Sequence, residues 1–193
     1  MKKEAKTIIF FIIAIIVFIV SLMLDNQIFF LIQSIRNPVM DTFFSWLLFI
    51  EDAFIYYPLV ILSTFGIVFW KKRKNILPFT ITFLISLILI LLLKNIILRP
   101  RPFLPGSQDS FPSGHPLIFT ILPFLDYKKE KYLKIIWLII SCLIIFTRIW
   151  FGLHYLSDVV TGIMIIYIVA FIIKNSWKKL KIQKTKTKKK KKR

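Results

Sequence analysis

This 193-residue chain has only two histidines, His115 and His154. Both stand among cations in otherwise apolar sequence. Lys94 lies near the end of one apolar run, and Arg99-Pro100-Arg101-Pro102 follows it, with prolines that stop a helix and keep the backbone extended. Phe111-Pro112-Ser113-Gly114-His115 opens the next apolar stretch, and Arg148 closes another. His154 and Asp158 are four residues apart at the head of the last run, one turn on a helix face. Taken singly, a Lys or Arg near a membrane helix end snorkels to the headgroups, and a His-x3-Asp pair is an ordinary helix-face pair. Taken together, three separated segments bring Lys94, Arg101, Arg148, His115 and His154 to one membrane face. Ionisable groups within a membrane seek partners and mark functional sites, so the set reads as a shared anion site.

The elements that must carry these residues are long and apolar. Hydrophobic residues make up 57% of the chain and its mean hydropathy is +0.73, the balance of a membrane protein rather than a water-soluble domain. A helix needs roughly 20 mainly apolar residues to cross the hydrocarbon core. Runs at 7–24, 53–70, 76–98, 132–150 and 155–173 meet that requirement, and a shorter one at 113–125 begins inside the histidine-bearing motif. The run at 7–24 lacks a small-x-small cleavage pattern at its end and reads as a retained anchor. The stretch 28–50 is interrupted by Gln33, Arg36, Asn37, Pro38 and Asp41, with Asp41, Thr42 and Ser45 forming a polar stripe. It reads as an interfacial helix between the first two crossings.

The resulting fold class is all-α, a six-transmembrane helical bundle over residues 1–175. Basic residues stay preferentially on the cytoplasmic side. With six crossings, Lys2/Lys3/Lys6, Lys71 to Lys74, Lys128 to Lys134 and the tail all fall on one side. Both termini are then cytoplasmic and the anion site faces outward. The formal charge of +19 suggests nucleic-acid binding until it is located, because 12 Lys and Arg lie between Lys174 and Arg193. Residues 176–193 read as a disordered tail that fixes topology and rests on anionic lipid, with no nucleic-acid partner expected. The single cysteine, Cys142, excludes an intramolecular disulfide and a cysteine-based metal site.

The motifs resemble those of the phosphatidic acid phosphatase type 2 superfamily. Its Lys-x6-Arg-Pro motif is matched by Lys94 with Arg101-Pro102, and Pro-Ser-Gly-His by Pro112 to His115 without change. Its third motif, Ser-Arg-x5-His-x3-Asp, appears as Thr147-Arg148, His154 and Asp158, with threonine in place of the leading serine. The resemblance implies a membrane lipid phosphatase that acts on a lipid phosphate or diphosphate without a metal or other cofactor. It assigns His154 as nucleophile, Asp158 as the group fixing its tautomer, and His115 as the acid that protonates the leaving oxygen. Lys94, Arg101, Ser113, Gly114 and Arg148 would hold the phosphate, a task that calls for fixed positive charge and donors on its oxygens.

Within the family, the Arg-Pro-Arg-Pro-Phe and Phe-Pro-Ser-Gly-His wording is similar to that of undecaprenyl or dolichyl diphosphatases. Phosphatidate and phosphatidylglycerophosphate are the alternative substrates. A haloperoxidase would be soluble. A transporter would show related halves with broken midplane helices, and a catalytically silent lipid-binding protein would not need both histidines and the aspartate.

Overall fold

The structure, a computed structural model, describes residues 3–50, 73–104, 106–125 and 131–190. The expected crossing at 53–70 lies outside the described residues, as do Lys71, Lys72, Lys128 and Lys129. Among the described residues every regular element is helical: α1 (Lys3–Ile35), α2 (Pro38–Ile50), α3 (Arg73–Ile97), a 3-10 helix (His115–Phe124), α4 (Lys131–Trp150) and α5 (Leu156–Lys190). Among the described residues, four segments are long and apolar enough to cross a membrane: Thr7–Ile35, Asn75–Ile97, Lys131–Trp150 and Leu156–Leu180.

The first helix runs past Asp25, where the sequence suggested an end, because nothing between Lys3 and Ile35 is proline or glycine. It stops at Arg36-Asn37, since Pro38 disfavours helical geometry in the residue before it. Asn37 then caps α2, its side-chain oxygen accepting from the Met40 amide at 3.0 Å. The expected interfacial stretch is therefore divided, 28–35 completing α1 and Pro38–Ile50 forming α2. Trp150 of α4 ties α2 down by donating to Asp41 at 2.7 Å, and Arg36 grips the same carboxylate at 3.0 and 3.1 Å.

The stretch expected as the fourth crossing is ten residues of 3-10 helix, which at about 2.0 Å per residue reach about 20 Å. It forms the centre of the bundle. Leu117, Ile118, Ile121 and Leu122 are buried with Phe79, Phe83 and Ile90 of α3, Ile145 of α4 and Val159, Ile166 and Ala170 of α5. Side chains of the surrounding helices satisfy its carbonyls. Trp137 donates to Ile118 at 2.8 Å, Lys174 to Pro123 at 2.6 Å and Asn75 to Phe124 at 3.3 Å. Such pairing meets the demand that backbone polar groups inside a membrane find partners within the protein.

These contacts also orient the bundle. Asn75, Phe124 and Lys174 meet at one end, whereas Asp25, Arg99 and Asp158 meet at the other. At its far end α5 continues to Lys190, where the sequence reading expected a disordered tail from 176. Lysine, leucine and glutamine are good helix formers and no proline or glycine follows Gly162.

Gly162 lets α5 pass close to the motif-bearing segment. A Cβ there would lie 2.5 Å from the Ser113 carbonyl oxygen and 2.8 Å from Pro116 Cγ. Gly162→Ala should therefore lower stability in detergent by about 1–3 kcal/mol, although alanine is the better helix former. A thermal unfolding midpoint equal to that of the parent protein would contradict this packing.

Candidate active site

The loop from Leu98 to Gly114 carries most of the expected phosphate-binding residues, and backbone bonds fix its course. Leu98 ends α3 in the left-handed region, φ 49°, with its amide on the Lys94 carbonyl at 3.2 Å. Proline at 100 and 102 then keeps the chain extended. Ser110 donates its amide to the Arg99 carbonyl at 3.0 Å, Phe103 to Gly152 at 2.9 Å and Ser113 to Asp158 at 3.0 Å. The Trp150–His154 turn is closed by Leu153 and His154 amides, both on the Arg148 carbonyl, at 2.9 and 3.2 Å. Gly152 permits that turn, with φ +61° and no room for a Cβ beside Phe29 and Phe103.

His154 is buried, and its Nδ1 lies 2.8 Å from the Ser110 carbonyl oxygen. A carbonyl only accepts, so Nδ1 carries the hydrogen and Nε2 presents its lone pair. The sequence assigned this orienting task to Asp158, whose Oδ2 stands farther off, at 3.7 Å. Asp158 is fully buried and held by other donors: Arg99 Nη1 at 2.7 Å, the Tyr155 amide at 2.7 Å and the Ser110 hydroxyl. Burial is the main influence on His154, and with the cations Lys94 and Arg101 it outweighs Asp158. The imidazole pKa therefore lies below its ordinary value.

The ring of His115 packs against that of His154, centroids 5.3 Å apart. Ser113 Oγ is 3.2 Å from His115 Nδ1, and Gly114 is the residue just before the 3-10 helix. Lys94, Arg101 and Arg148 are all near enough to His115 for their charges to act on it, and Arg148 is buried at the end of α4. The eight residues singled out from the sequence are thus brought to one end of the bundle. Thr147 does not aim its hydroxyl into the site, since it donates to the Ile144 carbonyl at 2.6 Å.

Four groups of this site were not assigned from the sequence. Asp109 receives Arg101 in a two-pronged bond, Nε and Nη2 both at 2.8 Å, while Lys94 donates to its backbone carbonyl. Hydrogen bonding from Arg101 holds the Asp109 carboxyl well below the usual carboxylate range, against some burial. Arg99 spans Asp158 and Asp25 of α1, its Nη2 reaching Asp25 at 2.8 Å, and stacks over Tyr155 at 4.1 Å. Burial works against the Arg99 charge, but the two aspartates prevail and raise its pKa. The fourth is the Ser110 carbonyl, a backbone group with no sequence signal. A signal did exist for Asp25, an ionisable residue inside an unbroken apolar helix.

Geometry of this kind can bind a multiply charged oxyanion and present an imidazole lone pair to it. The sequence profile of the PAP2 superfamily matches residues 75–182. Phosphatidylglycerophosphatase B of Bacillus subtilis is 30% identical over 163 residues, covering 76% of this chain and 80% of the relative. Undecaprenyl-diphosphatase BcrC of the same organism is 29% identical over 150 residues, covering 72% and 76%. The crystal structure of a PAP2-type phosphatidylglycerolphosphate phosphatase from Bacillus subtilis superposes with a TM-score of 0.62 at 24% identity, over 93% of this chain and 98% of that one. With its motifs, its apolar helices and these relatives, the chain belongs to the PAP2 superfamily and is a membrane lipid phosphatase.

Proposed function

We propose that the chain hydrolyses a polyprenyl diphosphate, of undecaprenyl or dolichyl type, to the monophosphate through a phosphohistidine on His154. The observation that carries this reading is the bond between His154 Nδ1 and the Ser110 carbonyl, which leaves Nε2 as the nucleophilic nitrogen. Nε2 attacks the terminal phosphorus as the bond to the bridging oxygen breaks, and His115 gives its proton to that oxygen. Water then attacks the phosphohistidine, His115 takes the water proton, the P–N bond breaks and phosphate leaves. Lys94, Arg101 and Arg148 offset the charge on the phosphoryl oxygens, with Ser113 and Gly114 as further donors.

The diphosphate reading draws on the Arg-Pro-Arg-Pro-Phe wording and on the undecaprenyl-diphosphatase relative. Phosphatidylglycerophosphate is the second reading, favoured by the 30% identity to a phosphatidylglycerophosphatase. As to sidedness, the site and Arg73, Lys74, Lys174 lie toward opposite ends of the bundle. By the positive-inside rule the site then faces outward and both termini are cytoplasmic, with anionic lipid at the basic end.

A phosphate-release panel in detergent should rank polyprenyl diphosphate above polyprenyl monophosphate, phosphatidate and phosphatidylglycerophosphate. His154→Ala should cut turnover on the preferred lipid by at least about 10³-fold. Turnover that survives this substitution would remove the nucleophile, and a clear preference for phosphatidylglycerophosphate would select the second reading.

The pH profile of kcat/KM should be bell-shaped, because His154 must be neutral and His115 protonated. Since burial lowers the His154 pKa, the acid limb should lie below the ordinary imidazole value of about 6.5. An acid limb above that value would contradict the environment described for His154.

A further inference from the structure

We infer that Asp25 of α1 and Arg99 form a positioning pair for the catalytic end of α5, making α1 part of the catalytic apparatus although it carries no motif. The inference rests on the reading of His154 as nucleophile. Asp25 lies in the described structure 132 residues from its main partner, yet it is 4% exposed and fully engaged. Its Oδ1 accepts the Ser157 amide at 2.8 Å, and its Oδ2 accepts the Ser157 hydroxyl at 2.5 Å and Arg99 Nη2 at 2.8 Å.

Asp25 thus binds the first turn of α5 at the residue next to Asp158. A carboxylate near the positive end of a helix, accepting one of its otherwise unpaired amides, is a favourable arrangement. Arg99 extends the connection through Nη1, which donates both to the Ser157 hydroxyl and to Asp158 Oδ1, each at 2.7 Å. Asp158 in turn holds the hydroxyl of Ser110, whose carbonyl fixes His154. The chain of contacts is continuous from α1 to the imidazole. Its planar fork lets one guanidinium bridge two carboxylates, which an ammonium cannot reproduce in the same geometry.

If this pair sets the position of His154, its loss should affect the chemical step and not substrate capture. The test compares the intact protein with Asp25→Asn, Arg99→Lys, their double variant and His154→Ala. Phosphate release is followed from farnesyl diphosphate and dioctanoyl phosphatidate in detergent, and a thermal melt is recorded for each. On whichever substrate is turned over, Asp25→Asn should lower kcat by about 10²-fold, the loss typical of a small misplacement of a reacting group, with KM changed less than about twofold. The double variant should be no worse than the poorer single one, because both act through one unit.

Wild-type kcat in folded Asp25→Asn, or a loss carried wholly by KM, would overturn the inference. Should Asp25→Asn not yield folded protein, Ser157→Ala decides the matter, since it deletes one hydroxyl and no charge. A reduced kcat at unchanged KM supports the pair, and wild-type kcat overturns it. His154→Ala separates the two levels. Activity in that variant sinks the nucleophile reading itself, whereas a dead His154→Ala beside a fully active Asp25→Asn sinks only the positioning pair.

Discussion

Asp158 has no exposed surface, and a carboxylate in that position is tolerable only where donors and a countercharge replace the water it has lost. Meeting that demand organises the whole end of the bundle. The Leu98–Gly114 loop supplies Arg99 and the Ser110 hydroxyl, and Tyr155, the residue just before α5, supplies its amide. Once Ser110 is held by its hydroxyl, its carbonyl faces His154. Satisfying one buried charge therefore also sets the tautomer of the neighbouring imidazole. Breaking such a buried pair by removing one partner typically costs about 3–5 kcal/mol, so geometry and stability at this end are coupled.

The rest of the architecture supplies rigidity to that end. The 3-10 helix fills the middle of the bundle with aliphatic side chains, and its carbonyls are tied by Trp137, Asn75 and Lys174 from three different helices. Its first residue is His115, so the acid proposed for the reaction is anchored to a segment in which eight of ten residues are buried. The contact at Gly162 locks α5 against the same motif. On the cation side, Asp109 preorganises Arg101 and Lys94 before any substrate arrives. In the proposed reaction an incoming phosphate would meet charges already fixed in place, and preorganised charge is the form most effective in transition-state stabilisation.

Much of this was legible in the sequence because charge inside apolar sequence is conspicuous. Lys94, Arg101, Arg148, His115, His154 and Asp158 stood out for that reason, and the structure gathers them. The four described spans correspond to apolar runs, although α1 outlasts its run. The error at α1 had a specific cause. The apolar run stops at Leu24, just before Asp25, whereas the Asp25 carboxylate is satisfied by Ser157 and Arg99, so the helix has no need to end there. The 3-10 geometry at His115–Phe124 was not readable, since a ten-residue apolar stretch carries no marker that separates it from a short α-helix. Nor was the Ser110 carbonyl, because every residue but its fold-specific placement offers the same backbone group.

The proposed mechanism turns on phosphoryl transfer to Nε2 of His154 and not to Nδ1. Rapid quenching of the protein during turnover of a terminally 32P-labelled polyprenyl diphosphate, followed by peptide mapping and nuclear magnetic resonance of the isolated phosphohistidine, reads that atom directly. An acid-labile phosphate is expected on Nε2 of His154, since Nδ1 is committed to the Ser110 carbonyl. Label on Nδ1 of His154, or on His115, would contradict it.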